Sequence, residues 1–78
     1  KSLTGHSLGA VGAQETIYGL IMMREKFLAA SAHIENIDPD FADLPIIRER
    51  VDNAKIDCFL TNSFGFGGTN GSLVVARV

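Results

Sequence analysis

Residues 10–28, AVGAQETIYGLIMMREKFL, decide the architecture, because their apolar side chains recur at helical spacing on more than one side. Ala10, Ala13, Ile17, Leu20, Ile21 and Leu28 follow steps of three and four, and Val11, Tyr18 and Met22 make a second stripe. A helix is therefore expected from near Ser7–Gly9 to about Phe27. The polar approach KSLTGHSLG (1–9), with hydroxyls at Ser2, Thr4 and Ser7, suits a turn leading into a helix N-terminus, and Arg24, Glu25 and Lys26 mark the wet end. The first turns hold Gly9, Ala10, Gly12 and Ala13, whose small side chains let another backbone come close at a cost in helix propensity.

Outward from this helix, Ala29 to Ile34 are expected as a short strand, and Ile46 to Val51 alternate in part as a half-buried edge strand would. Between them ENIDPDFADLP (35–45) combines four acids with two prolines and reads as an exposed loop. Ala54 to Asn62 place Ile56, Cys58 and Leu60 on one face and Phe59 on the other, and Ser72 to Val78 are rich in Val and Leu. Both read as strands, joined by SFGFGGTNG (63–71). The class is α/β. Two strands and one helix cannot enclose a helix that is apolar all round, so a further layer is expected from polypeptide beyond these 78 residues.

Composition narrows the function. Seven Lys and Arg against nine Asp and Glu leave no basic surplus for a nucleic acid. The longest apolar run of the helix, Leu20 to Met23, falls far short of the ~20 residues of a membrane span, and the first residues lack a signal peptide's apolar stretch. A cytoplasmic chain without membrane partners is expected. Cys58 stands alone, which excludes an internal disulfide, and His6 and His33 lie too far apart for zinc-finger spacing, so no metal site is expected. A chain this short buries only about 60% of its unfolded surface while ordering costs ~1.5 kcal/mol per residue, so it would be marginal alone. Together with a first residue that is Lys rather than Met, this points to a piece of a larger protein.

Three constellations carry chemistry. Gly5-His6-Ser7-Leu8-Gly9 matches G-x-S-x-G, the nucleophile elbow of hydrolases and acyl transferases. An elbow needs an apolar strand before it, however, and its histidine in chain order would have to be His33. The loop Ser63–Gly71 is glycine-rich between strands, which lets backbone N–H groups point into an anion-binding or oxyanion site. Its two phenylalanines argue against a merely solvated turn, and a phosphate loop would carry a lysine and lead into a helix. Lys1, His6 and Glu15 form a possible charged set; if Glu15 faces inward it needs a cation, for which Lys1 is the partner at hand. Cys58 is expected to be a small buried apolar residue.

KSLTGHSLGAVGAQE at 1–15 with TNSFGFGGTNGSLVV at 61–75 closely resembles the C-terminal end of the β-ketoacyl-acyl-carrier-protein synthases, and Ala13-Gln14-Glu15-Thr16-Ile17-Tyr18 resembles their type I branch. The resemblance implies a thiolase-like fold. Residues 1–78 would be a C-terminal portion of its second half, the last helix plus final strands of a five-stranded mixed sheet, and not a complete domain. It implies decarboxylative Claisen condensation of an enzyme-bound acyl thioester with malonyl-carrier protein in fatty acid elongation. His6 would donate from Nε2 to the malonyl thioester carbonyl, with Lys1 and Glu15 in support. Phe66 would be the gate whose N–H completes the oxyanion hole, Phe64, Gly65, Gly67 and Gly68 would let it move, and Thr69 and Asn70 would hydrogen-bond within the site. The nucleophilic cysteine would lie outside this chain, since Cys58 matches no such position. Acyl carrier protein, the remainder of the same polypeptide and a second subunit of a homodimer are the implied partners, with no cofactor and no metal. Set against this are a serine acyltransferase or hydrolase built on Ser7, and a non-catalytic anion-binding module built on the glycine loop.

Overall fold

The computed structural model describes residues 1–78. A 3-10 turn over Leu8–Ala10 leads into helix α1, Val11–Glu25. The helix stops where Lys26 turns left-handed, φ +58°, with its N–H bonded to the Met22 carbonyl. The strands are β1 Phe27–Leu28, β2 Val51–Asp52, β3 Cys58–Phe64 and β4 Asn70–Ala76. They form two separate antiparallel pairs, β1 with β2 and β3 with β4. In the longer pair Cys58 faces Ala76, Phe59 faces Val75 and Phe64 faces Asn70.

Helix α1 lies on β3 along a seam of small residues. A methyl added to Gly12 would meet Ser63 Oγ at 3.3 Å, and one added to Gly19 would sit 2.5 Å from the Phe59 ring. Along α1 these contacts run forward while along β3 they run backward, so the two elements are antiparallel. The start of the helix therefore sits at the Ser63–Phe64 end of the hairpin, beside the glycine loop. At the opposite end Arg77 Nη2 donates to the Met23 carbonyl at 2.8 Å, placing a cation at the negative end of the helix dipole. Gly19 and Met23, both on this seam, are the two buried residues.

The sequence's most regular apolar stripe faces elsewhere. Ile17 is 53% exposed and Leu20 45%, while the stripe against the hairpin is Gly12, Thr16, Gly19 and Met23. Large aliphatic groups would hold the hairpin too far off for Phe59 to reach the helix backbone. The accessible surface is 6335 Å², whereas a compact monomer of 8.4 kDa has about 4,600 Å². The radius of gyration, 13.7 Å, likewise exceeds the about 11.5 Å of a compact chain of this length. No helix is long and apolar enough to cross a membrane.

Three local expectations are corrected. Residues 29–34 form no strand: the ladder pairs Phe27 with Asp52 and Leu28 with Val51, and His33 breaks the extended run with φ +65°. Beyond it the two segments stay joined by Ser31 N–H to the Ile47 carbonyl at 2.8 Å and Arg48 Nη2 to the Ile34 carbonyl at 2.8 Å. Of residues 46–51 only Val51 is in a strand. There Arg50 lies 4.2 Å over the Phe27 ring and bonds Asp52 at 2.7 Å, which closes the excursion at its neck. Cys58 is exposed, not buried. Strand alternation turns it away from α1, onto the same outer face as Leu60, because Phe59 takes the seam.

Gly19→Ala is expected to destabilise the protein by about 1–3 kcal/mol, since overpacking the Phe59 ring outweighs the gain in helix propensity. Thermal unfolding of the variant checks this: a melting temperature equal to or above the parent's would show that the ring yields freely.

Candidate functional site

The helix start and the glycine loop occupy one end of the helix–hairpin unit, and each carries part of the anticipated site. Lys1 is folded back by a turn in which the Gly5 N–H donates to the Lys1 carbonyl at 2.9 Å. Its Nζ then reaches Glu15 Oε1, one turn into α1, at 2.6 Å. Both side chains are partly covered, 40% and 26% exposed, so the pair stabilises by less than about 1 kcal/mol and its main effect is to fix two orientations. The Ser2 hydroxyl accepts from the Ala32 N–H at 2.8 Å and ties the same segment to the excursion.

His6 is oriented by main chain. The Leu8 N–H donates to His6 Nδ1 at 2.9 Å, and this contact exists because Leu8 adopts a left-handed backbone, φ +52°. A leucine there is unusual, and the conformation costs roughly 1–2 kcal/mol. With Nδ1 accepting, the proton of the neutral ring is on Nε2, the donor of this exposed side chain. No signal in the sequence marked Leu8, because the group it supplies is an amide and its side chain takes no part.

The loop is shorter than its sequence suggested. Phe64 closes β3 and Asn70 opens β4, which leaves Gly65–Thr69 as the connection. Gly65 N–H donates to the Thr69 carbonyl at 2.7 Å, and Gly68 N–H to the Gly65 carbonyl at 3.2 Å, so Phe66 and Gly67 are the corners of a β-turn. Gly67 has φ +86°, which the third position of a type II turn requires, and a Cβ on Gly65 would lie 2.9 Å from the Thr69 oxygen. The Phe66 N–H makes no hydrogen bond within the chain. Its ring stands fully exposed and Phe64 is 78% exposed. Thr69 contributes its carbonyl to the loop closure and Asn70 its place opposite Phe64; neither side chain forms a hydrogen bond.

The alternative triad is not assembled. Ser7 follows a turn and not a strand, its own φ is −87°, and its hydroxyl bonds to neither histidine. His33 lies in the excursion, lining a shallow cleft with Ile34, Glu35, Ile37 and Asp38. No group of three His, Cys, Asp or Glu side chains is placed to hold a metal ion. What the geometry provides is two unbonded donors, His6 Nε2–H in the segment that leads into α1 and Phe66 N–H in the loop beside the start of that helix. Donors of that kind stabilise a developing oxyanion.

Comparison with known proteins gives this arrangement a family. Residues 1–35 match the model described as beta-ketoacyl synthase, C-terminal domain. Over all 78 residues the chain is 47% identical to 3-oxoacyl-[acyl-carrier-protein] synthase 1 of Escherichia coli strain K12. Over 77 residues it is 48% identical to the synthase 1 of Haemophilus influenzae, and over 78 it is 45% identical to the synthase 2 of Coxiella burnetii. The chain belongs to the β-ketoacyl synthases. It covers 100%, 99% and 100% of itself in these three matches and 19% of the length of each relative.

In the neutral ring of His6 the proton is expected on Nε2. Long-range 1H–15N correlation on 15N-histidine-labelled protein should return that pattern, and an Nδ1–H signal would contradict the Leu8 bond.

Proposed function

We propose that this chain is a C-terminal portion of a 3-oxoacyl-carrier-protein synthase, whose complete polypeptide condenses an enzyme-bound acyl thioester with malonyl-carrier protein. The observation that carries the reading is the match to the synthases over the whole chain, supported by the glycine loop lying beside the start of α1, which His6 precedes in sequence. On this reading residues 1–78 are not a complete domain. They supply the last helix and the final strands of a thiolase-like second half, and the hairpin joins a five-stranded mixed sheet. The bare Ile17 and Leu20 face and the excess surface support that incompleteness.

The chemistry follows from the donors. His6 Nε2–H hydrogen-bonds the malonyl thioester carbonyl oxygen. As the bond to the carboxylate breaks, its electron pair moves into an enolate whose oxygen that hydrogen bond stabilises, and carbon dioxide leaves. The enolate carbon attacks the acyl thioester held on a cysteine in the rest of the polypeptide. The Phe66 N–H takes the oxyanion of the resulting tetrahedral intermediate, which collapses to the 3-oxoacyl product and releases the cysteine thiolate. Preorganised donors of this type contribute a few kcal/mol each. The Lys1–Glu15 pair holds the histidine segment on α1 and moves no proton itself. Phe64, Gly65, Gly67 and Gly68 give the Phe66 ring room to swing as a gate, and the Thr69 and Asn70 side chains, free within this chain, are available to hydrogen-bond within the complete site.

Acyl carrier protein is the partner that presents both substrates, the complete enzyme is a homodimer in the cytoplasm, and the reaction proceeds without cofactor or metal. The Gln14-Glu15-Thr16 helix start favours the type I branch.

In the complete enzyme His6→Ala is expected to lower malonyl decarboxylation at least ~10²-fold while the cysteine is still acylated. Retained decarboxylation would remove the role given to His6. Labelling of Ser7 by a fluorophosphonate would instead revive the hydrolase reading.

A further inference from the structure

We infer that the contact between Gly12 on α1 and Ser63 on β3 is the spacer that sets the separation of His6 from the Phe66 amide, which makes both of them positioning residues. This rests on the roles proposed above for His6 and Phe66. Gly12 stands in the first turn of α1, close behind the Leu8 amide that orients His6, and Ser63 is the penultimate residue of β3, just before the loop that carries Phe66.

A Cβ on Gly12 would lie 3.3 Å from Ser63 Oγ, the one atom beyond its own stretch of helix that it would meet within 4 Å. On the β3 side, the Ser63 hydroxyl is thus the group that limits bulk at Gly12. Both sides of the contact are held. Thr16 Oγ1 donates to the Gly12 carbonyl at 2.9 Å, and Ser63 is paired with Gly71 across the hairpin. The far end of the seam is held as well, by Phe59 against Gly19 and by Arg77 on the Met23 carbonyl. With that end fixed, a change in bulk at Gly12 or Ser63 cannot be taken up by sliding. It must pivot the helix start away from the loop and widen the gap between the two donors. Catalysis is sensitive to displacements of this size, since a shift of ~1 Å costs as much as 10²-fold.

The test is a double-substitution cycle in the complete enzyme. Gly12→Ala is expected to lower kcat about tenfold with KM little changed, while the melting temperature holds or rises, because alanine is the better helix former. Ser63→Ala removes the atom that the new methyl would meet. In that background Gly12→Ala should change kcat by less than about twofold. An equal loss in both backgrounds, or full kcat in both, overturns the spacer. If Gly12→Ala unfolds the protein, Ser63→Cys takes its place: the longer bond and larger atom should lower kcat at unchanged KM, and an unaltered kcat overturns the inference. His6→Ala measured alongside separates the two levels. Retained decarboxylation in that variant refutes the underlying function, whereas its loss combined with silent Gly12 and Ser63 variants refutes the spacer alone.

Discussion

The approach of α1 to β3 is the constraint on which everything else depends. Two glycines on the helix let the strand come close enough for the Phe59 ring to lie against the backbone at Gly19, and Gly19 and Met23 on this seam are the two buried residues of the chain. The antiparallel sense of the seam is what brings the start of the helix and the glycine loop together. Had the helix packed through its larger aliphatic stripe, the hairpin would stand farther off and the Phe59 contact would be lost. The glycines weaken the helix locally, and the tertiary contact offsets it.

Surface area tells the same story from outside. A chain with an α-helix and two antiparallel strand pairs nonetheless exposes well over a thousand Å² more than its mass calls for. The surplus lies on the outward stripe of α1 and on the outer face of the β3–β4 hairpin, where Leu60 and Val74 stand in solvent. Bare apolar faces of this kind are what a further packed layer would cover, and the chain spans 19% of the relatives it matches.

Much of this was legible in the sequence, for identifiable reasons. The helix was found to within two to four residues at each end because its apolar spacing is long and regular, and the hairpin because Val, Leu and Phe flank an unmistakable glycine cluster, although Ala54 to Asp57, expected in its first strand, lie outside it. The Lys1–Glu15 pair followed from the cost of leaving a carboxylate uncompensated on a helix of mostly apolar neighbours. Other features were not legible. Periodicity shows that a helix has an apolar side but not which side the hairpin takes, so the seam of Gly12, Thr16, Gly19 and Met23 was hidden behind the more conspicuous aliphatic stripe. The excursion misled because Ala29 to Ile34 have the composition of a strand, while a left-handed His33 and a two-residue ladder anchored by Arg50 over Phe27 decide the path. Cys58 misled for a related reason: a small thiol suggests an interior, yet alternation gave the interior to its neighbour.

The Leu8 amide has a consequence for how this region tolerates change. The group that sets the histidine tautomer is main chain, so replacing the leucine side chain by another leaves it in place, and a scan that trims side chains one at a time would pass over it in silence. Sensitivity should appear only where the backbone itself is altered: proline deletes the donor outright, and β-branched residues resist the positive φ that aims it. Position 8 would then look permissive to most chemistries and intolerant to a few shapes, a profile that marks a conformational duty and not a chemical one.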